Sequence, residues 1–229
     1  MLAIDLTDKI AVVTGSTQGL GLGITRMLAK AGCHVAGCGL DAPDSKQAKS
    51  FLETVRKERR SVYYEQVDLK KQDRIPQFIT NAKEQLGSID ILISNAGKNM
   101  FSAPEESTLG FWEEDNHLNL RSHWLLSKAC YEDLKTNNGF ILLMTSNHAY
   151  GTLLNCFPYN VSKAGIVGMV KALAIFDPQT GNQMTKWNSQ NGECLQSIAV
   201  PAQVTSCCFG GPELDRLFIT TARIGRSTT

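Results

Sequence analysis

A tyrosine and a lysine four residues apart, Tyr159 and Lys163, follow a serine placed thirteen residues before the tyrosine, Ser146. Together they can take a proton from an alcohol oxygen or return one to a carbonyl. A free phenol has a pKa of about 10 and is a poor base at neutral pH, so it needs a neighbouring cation. One turn further along a helix, Lys163 lies on the same face and supplies that charge. On its own, a Tyr-x-x-x-Lys spacing is also what an exposed helix pair would show. A second group far upstream, Thr14-Gly-Ser-Thr-Gln-Gly-Leu-Gly21, gives it context.

The elements that must position these residues alternate through the first three quarters of the chain. Short apolar runs at residues 10–13, 34–37, 62–66, 89–93 and 140–144 read as strands buried on both faces. Between them, residues 20–31, 45–59, 73–86 and roughly 105–135 read as helices. This is the pattern of βαβ units on a parallel sheet. A further helix begins near Tyr159, where Pro158 suits a first turn because its φ is fixed and it has no N–H to leave unpaired. In this frame the glycine group has a mechanical sense. Gly15 permits a tight turn after the first strand, Gly19 lets a pyrophosphate approach the backbone, and Gly21 lets the next helix pack closely. The free N–H groups and dipole of that helix favour an anion.

Composition narrows the partners. The chain has 229 residues, 42% of them hydrophobic, with a net charge of +1. Its charges are interspersed, so neither nucleic acid nor an anionic membrane is expected, and a small molecule is. No apolar run approaches a bilayer span and no signal-peptide pattern opens the chain, which reads as cytoplasmic. Seven cysteines without a Cys-x-x-Cys pair read as reduced, mostly buried thiols. The four histidines, His34, His117, His123 and His148, show no ligand spacing, so no metal site is expected. His148 lies near the proposed chemistry and is assigned to packing or solvent.

With these motifs in order, the chain over about residues 7–175 resembles the short-chain dehydrogenase/reductase family. The family's Thr-Gly-x-x-x-Gly-x-Gly corresponds to Thr14 through Gly21, and its Asn-Asn-Ala-Gly to Ser94-Asn-Ala-Gly97. Its serine and Tyr-x-x-x-Lys fall on Ser146, Tyr159 and Lys163, its helix asparagine on Asn119, and its adenine-contacting pair on Asp68 and Leu69. The resemblance implies a Rossmann-like, doubly wound α/β fold and an NAD(P)-dependent oxidoreductase acting on an alcohol or sugar hydroxyl. In it, Tyr159 is the general acid/base and Lys163 holds its charge and the nicotinamide ribose. Ser146 orients the substrate oxygen, and Asn119 holds a water linking Lys163 to solvent. The implied cofactor contacts are Gly15, Thr17, Gln18, Gly19, Leu20, Gly21, Asp68, Leu69, Asn95, Ala96, Gly97, Tyr159 and Lys163. Ser146 reads equally as a strand-end cap, Asn119 as a helix-backbone partner and Asp68 as a helix cap.

The second strand ends in Cys38-Gly-Leu-Asp41 with no basic residue, which favours NAD, with NADP as the alternative. Asp41 is also a plausible turn residue. Within the family, Gly37-Cys-Gly-Leu-Asp-Ala42 is most similar to enzymes oxidising 3-hydroxybutyrate or sugar alcohols. In the family the long fourth and fifth helices commonly pair between subunits, while the last strand that builds larger assemblies is missing here, so the resemblance leaves a homo-oligomer open.

After about residue 175 the pattern changes. A polar, Gly- and Asn-rich stretch leads into alternating runs at residues 194–200, 204–209 and 217–221, the mark of a domain boundary followed by β structure. The parallel sheet is therefore expected to stop after about five strands. The tail, residues 176–229, resembles the gluconolactonase/regucalcin propellers through Phe176-Asp-Pro-Gln-Thr-Gly181 and Val204-Thr-Ser-Cys-Cys-Phe-Gly-Gly211. It offers about one blade's worth of strands, which cannot close a ring, so lactonase or calcium-binding chemistry is not expected from it.

Overall fold

The computed structural model describes residues 4–175 and four tail strands, at 183–187, 194–199, 204–210 and 216–221. In chain order the elements begin with β1 (Ile10–Thr14), α1 (Gly19–Lys30), β2 (His34–Gly39), α2 (Lys46–Arg56), β3 (Val62–Gln66), α3 (Arg74–Leu86) and β4 (Ile91–Ser94). A short β5 (Phe101–Ser102) leads to α4 (Leu109–Asn116), a π-helical turn (His117–Arg121) and α5 (Ser122–Thr136). Then come β6 (Phe140–Leu143), a 3-10 turn (Asn147–Ala149), β7 (Phe157–Pro158) and α6 (Tyr159–Ile175). The tail supplies β8 (Gln183–Trp187), β9 (Cys194–Ala199), β10 (Val204–Gly210) and β11 (Arg216–Thr221).

Five strands pair in the order β3-β2-β1-β4-β6, all parallel. This is the expected α/β sheet, and its central strand shows why these residues form it. Every residue of β1 is buried, and successive side chains enter opposite layers. Val12 packs with Phe78, Ile79, Leu92 and Leu126 in the layer under α3 and α5. Ala11 and Val13 pack with Val35, Phe51, Val55 and Ile93 under α1 and α2. Each large side chain buried this way contributes about 1.5–3 kcal/mol. Side-chain oxygens start two of the helices: Ser45 Oγ accepts from Ala48 N at 3.1 Å and Thr108 Oγ1 from Phe111 N at 3.2 Å.

Three expectations need correction. The helix expected over residues 105–135 begins only after the Thr108 cap and is interrupted by the π turn, where Ser122 N reaches back to His117 O. Pro158 does not open α6. It follows a cis peptide bond and pairs in β7 with Phe101 of β5, a two-stranded ribbon too short to show in the sequence. The run at 194–200 pairs with β8, whose sequence reads as polar linker. The tail strands form two antiparallel pairs, β8 with β9 and β10 with β11, rather than adding to the parallel sheet.

Candidate active site

Parallel strands deliver their C-terminal ends to one edge of the sheet, and the chemistry-bearing residues collect there. Tyr159 opens α6 and Lys163 follows one turn later, 9% and 2% exposed. The lysine Nζ stands 5.5 Å from the centre of the tyrosine ring and donates to the Met144 carbonyl, just past β6, at 3.0 Å. A second bond ties the same turn of α6 to the strand end: Thr145 Oγ1 donates to Lys163 O at 2.8 Å. Burial pushes the Lys163 ammonium down to about 8, and the charge of Asp115 opposes the shift. Burial likewise raises the Tyr159 phenol, the Ser146 side chain pulls it back, and Asp115 raises it further. The phenol is therefore protonated at neutral pH.

Ser146 caps the 3-10 turn: its Oγ accepts from His148 N at 3.3 Å and donates to Asn147 Oδ1 at 3.1 Å. The cap and the hydroxyl beside Tyr159 are thus the same atom. His148 is half-buried, and its ring forms a triangle with Phe101 and Tyr159, with centroids 5.8, 5.4 and 5.9 Å apart. Nothing in the local sequence marks Phe101 for this place, because only the β5–β7 ribbon brings it here.

Asn119 sits in the π turn and is fully buried. Its Oδ1 accepts from Lys98 N at 3.0 Å, and its Nδ2 donates to Lys98 O at 2.8 Å and to Asp115 Oδ1 at 2.6 Å. The side chain therefore clamps the loop after β4, and a water would have to be held by the backbone. Asp115 is a site residue that the motifs do not contain, although its place four residues before Asn119 is a usable signal. His123 is another. It is wholly buried, bonds Ser94 Oγ through Nδ1 at 2.7 Å, and is kept neutral by burial and then by the Lys163 charge.

At the other end of the same edge lies the glycine turn. Gly15 and Gly19 have φ of +63° and +53°, which side chains other than glycine rarely adopt. A Cβ on Gly21 would sit on the Gly15 carbonyl oxygen and 2.8 Å from Asn95 Nδ2, while one on Gly19 would meet open space. Gln18 is the N-cap of α1, yet no side chain caps that helix and its first turn holds no acid. The first amides of α1, near Leu20, are thus available to an anion. Thr17 Oγ1 donates to Asp41 Oδ2 at 2.5 Å, tying the turn to the end of β2.

Asn95 braces this turn from β4. Its Nδ2 donates to Thr14 O at 3.0 Å, and the amides of Asn95 and Ala96 both donate to Thr14 Oγ1 at 3.0 Å. Gly97 fits between the two centres: a Cβ there would lie 2.9 Å from Asn119 Oδ1 and 3.3 Å from Lys163 Nζ. Asp68 caps its own turn, accepting from Lys70 N at 3.0 Å, and Leu69 is 4% exposed within the core. The structure therefore brings Ser146, Tyr159, Lys163, Asn119 and Gly97 together beside the Gly15–Gly21 turn. Asp68 and Leu69 lie after β3 on the same sheet edge, where their side chains also hold the local fold.

Comparison with known proteins agrees with this geometry. The short chain dehydrogenase family model matches residues 9–180, and the SMP-30/gluconolactonase/LRE-like region matches the short stretch 172–223. Dehydrogenase/reductase SDR family member 4 from Sus scrofa is 33% identical over 172 residues, covering 74% of this chain and 61% of that protein. The chain thus spans less than two thirds of that relative's length. The 2-dehydro-3-deoxy-D-gluconate 5-dehydrogenase of Escherichia coli K12 is 31% identical, covering 75% and 67%. Among solved structures, an alcohol dehydrogenase from the archaeon Thermococcus sibiricus superposes with a TM-score of 0.69 at 27% identity, covering 74% of this chain and 72% of that one. A match over most of the chain, on a five-stranded parallel sheet, makes this protein a member of the short chain dehydrogenase family.

Proposed function

We propose that the chain is an NAD(P)-dependent oxidoreductase that interconverts a secondary alcohol or sugar hydroxyl and a carbonyl. The observation that carries this reading is the buried Lys163 ammonium 5.5 Å from the ring of Tyr159, beside Ser146. Tyr159 is the acid/base, giving its proton to the carbonyl oxygen in reduction and removing it from the alcohol in oxidation. Lys163 stabilises the phenolate left behind. Ser146 Oγ orients the substrate oxygen, and the rings of Phe101 and His148 flank the approach to Tyr159.

The cofactor site fits a dinucleotide on its own terms. The uncapped start of α1, the open side of Gly19 and the absence of an acid in the first turn suit a pyrophosphate. Asp41, held by Thr17, offers a carboxylate to a ribose 2′-OH and opposes a 2′-phosphate, which favours NAD. The Thermococcus sibiricus relative was solved with 5-hydroxy-NADP, so NADP stands as the alternative. When bound, the nicotinamide carries the hydride. The test is turnover of alcohols, including aldoses, with NAD and NADP, alongside Tyr159→Phe. That variant is expected to lose at least about 100-fold in kcat, the usual minimum for a general acid/base. Equal turnover by the wild type and the variant would sink the assignment.

A second reading has an observation in its favour. The parallel sheet stops at β6, and the similarity to gluconolactonases begins at residue 172, so residues 1–175 and 176–229 read as two units of different descent. On this reading the chain is a dinucleotide-binding remnant or fusion that binds the cofactor without turnover. Binding of NADH with no alcohol oxidised would select it.

A further inference from the structure

Lys163 has to be a cation for its part in the site, yet it is buried, and a buried ammonium without compensation loses its proton. The compensation lies on α4. Asp115 is the fully buried residue of that helix, and its carboxylate reaches α6. Its Oδ2 accepts a short hydrogen bond from Ser162 Oγ, the residue adjoining Lys163, and its Oδ1 accepts from Asn119 Nδ2 at 2.6 Å. Both bonds come from neutral donors, so each favours the ionised carboxylate and neither balances its charge. Burial raises the Asp115 carboxyl, and Ser162, Asn119 and the Lys163 charge all pull it back. The groups that face it are few. From α6 these are Lys163 and Tyr159; the residues of β7, Phe157 and Pro158, carry no charge. From the loop after β4, Lys98 supplies backbone groups to Asn119 while its ammonium acts on Glu114. His123, on α5, feels the Lys163 charge but is neutral.

We propose that Asp115 is a positioning residue of this site: its buried carboxylate is the counter-charge of Lys163 and the anchor that holds Asn119 and Ser162 around it. The role rests on the dehydrogenase reading for its purpose, but its physical content is the charge of a buried carboxylate, bonded to the residue adjoining Lys163, acting on that ammonium in the free protein. Without the carboxylate, burial alone governs Lys163, whose proton then leaves at lower pH. The cation beside Tyr159 would be missing in the range where the phenolate needs it. Asp115 also holds the Tyr159 proton on, so the pair is poised as acid and cation together rather than as two neutral groups.

The test uses the full chain labelled with 13C-lysine, following the Lys163 Cε shift against pH, with the signal assigned by its loss in Lys163→Arg. Wild type is expected to titrate at about 8. Asp115→Asn keeps the shape and can still bond Ser162 and Asn119, so the midpoint should fall by about one unit or more, a tenfold loss of proton affinity. A midpoint equal to wild type's overturns the proposal and assigns Asp115 to packing. If Asp115→Asn does not fold, the wild-type Asp115 carboxyl carbon, followed in the chain labelled with 13C-aspartate, decides: an ionised group through pH 7 supports the counter-charge, and a protonated one overturns it. Neither readout needs turnover, so a chain that oxidised no alcohol would defeat the dehydrogenase reading and leave this result standing.

Discussion

Asp41 is held at the end of β2, where a charge could bear on the choice of cofactor without touching the reaction. Its Oδ2 accepts from Thr17 Oγ1 at 2.5 Å, which fixes a negative charge where the turn after β1 meets the end of β2. The Tyr64 hydroxyl anchors the same residue by its carbonyl at 2.8 Å, so the carboxylate has little freedom to swing away. Against the 2′-phosphate of NADP this charge is repulsive, and against a 2′-OH it is an acceptor. Asp41→Asn keeps the size and removes the charge. The ratio of NADPH to NADH dissociation constants, read from cofactor fluorescence, is expected to move toward NADPH by about tenfold, or about 1.4 kcal/mol. An unchanged ratio would mean that Asp41 serves only as the turn residue that its hydrogen bonds also make it.

At the level of elements, α1 carries three glycines, and two of them, Gly21 and Gly23, are alike in the sequence and opposites in the fold. Gly21 faces the turn, where a Cβ would collide with the Gly15 carbonyl, so Gly21→Ala must push the helix off the sheet. A loss of about 3 kcal/mol or more in unfolding free energy is expected, since overpacking against backbone cannot relax. Gly23 lies two residues on, exposed, with no positive φ and no atom within 4 Å of where a methyl group would stand. Gly23→Ala should stabilise by about 0.5–1 kcal/mol, through helix propensity. Urea midpoints of the two variants check both signs. Strands, crossovers and the Tyr159–Lys163 turn are legible in the sequence because their signals are local: period, glycine punctuation and helical spacing. The Phe101–Pro158 ribbon, the π turn and the clamp of Asn119 on Lys98 are not, because each arises from a contact across the fold. Asp115 belongs with these: its neighbour in sequence, Glu114, pairs with Lys70 at the surface, and only packing tells the two acids apart. The polar strand β8 escapes a reading of the sequence for the converse reason, since pairing with β9 rather than apolar pattern defines it.

On the scale of the whole molecule, the consequence of five strands is an edge. Among the described residues β6 pairs with β4 alone, and its first residue, Phe140, is 49% exposed. An open strand edge is a template for another strand. The pairing also says which amides are free. Phe140 N donates to Asp90 O at 3.1 Å and Met144 N to Ser94 O at 2.9 Å, so the even-numbered amides of this strand face β4 and the odd-numbered ones face outward. Ile141 therefore offers an outward N–H that no neighbouring strand of the parallel sheet receives. Replacing it with proline removes that donor and no bond to β4, the one kind of position where a strand tolerates proline. The half-buried Ile141 side chain packs against the α3 and α5 layer, so a cost of about 1–2 kcal/mol accompanies the change. If the edge drives association, Ile141→Pro should slow the growth of light scattering with concentration several-fold despite that lower stability, while NADH binding at the turn after β1, two strands away, is retained. Destabilisation alone would accelerate aggregation, so the direction of the change separates an edge that recruits strands from a surface that does not.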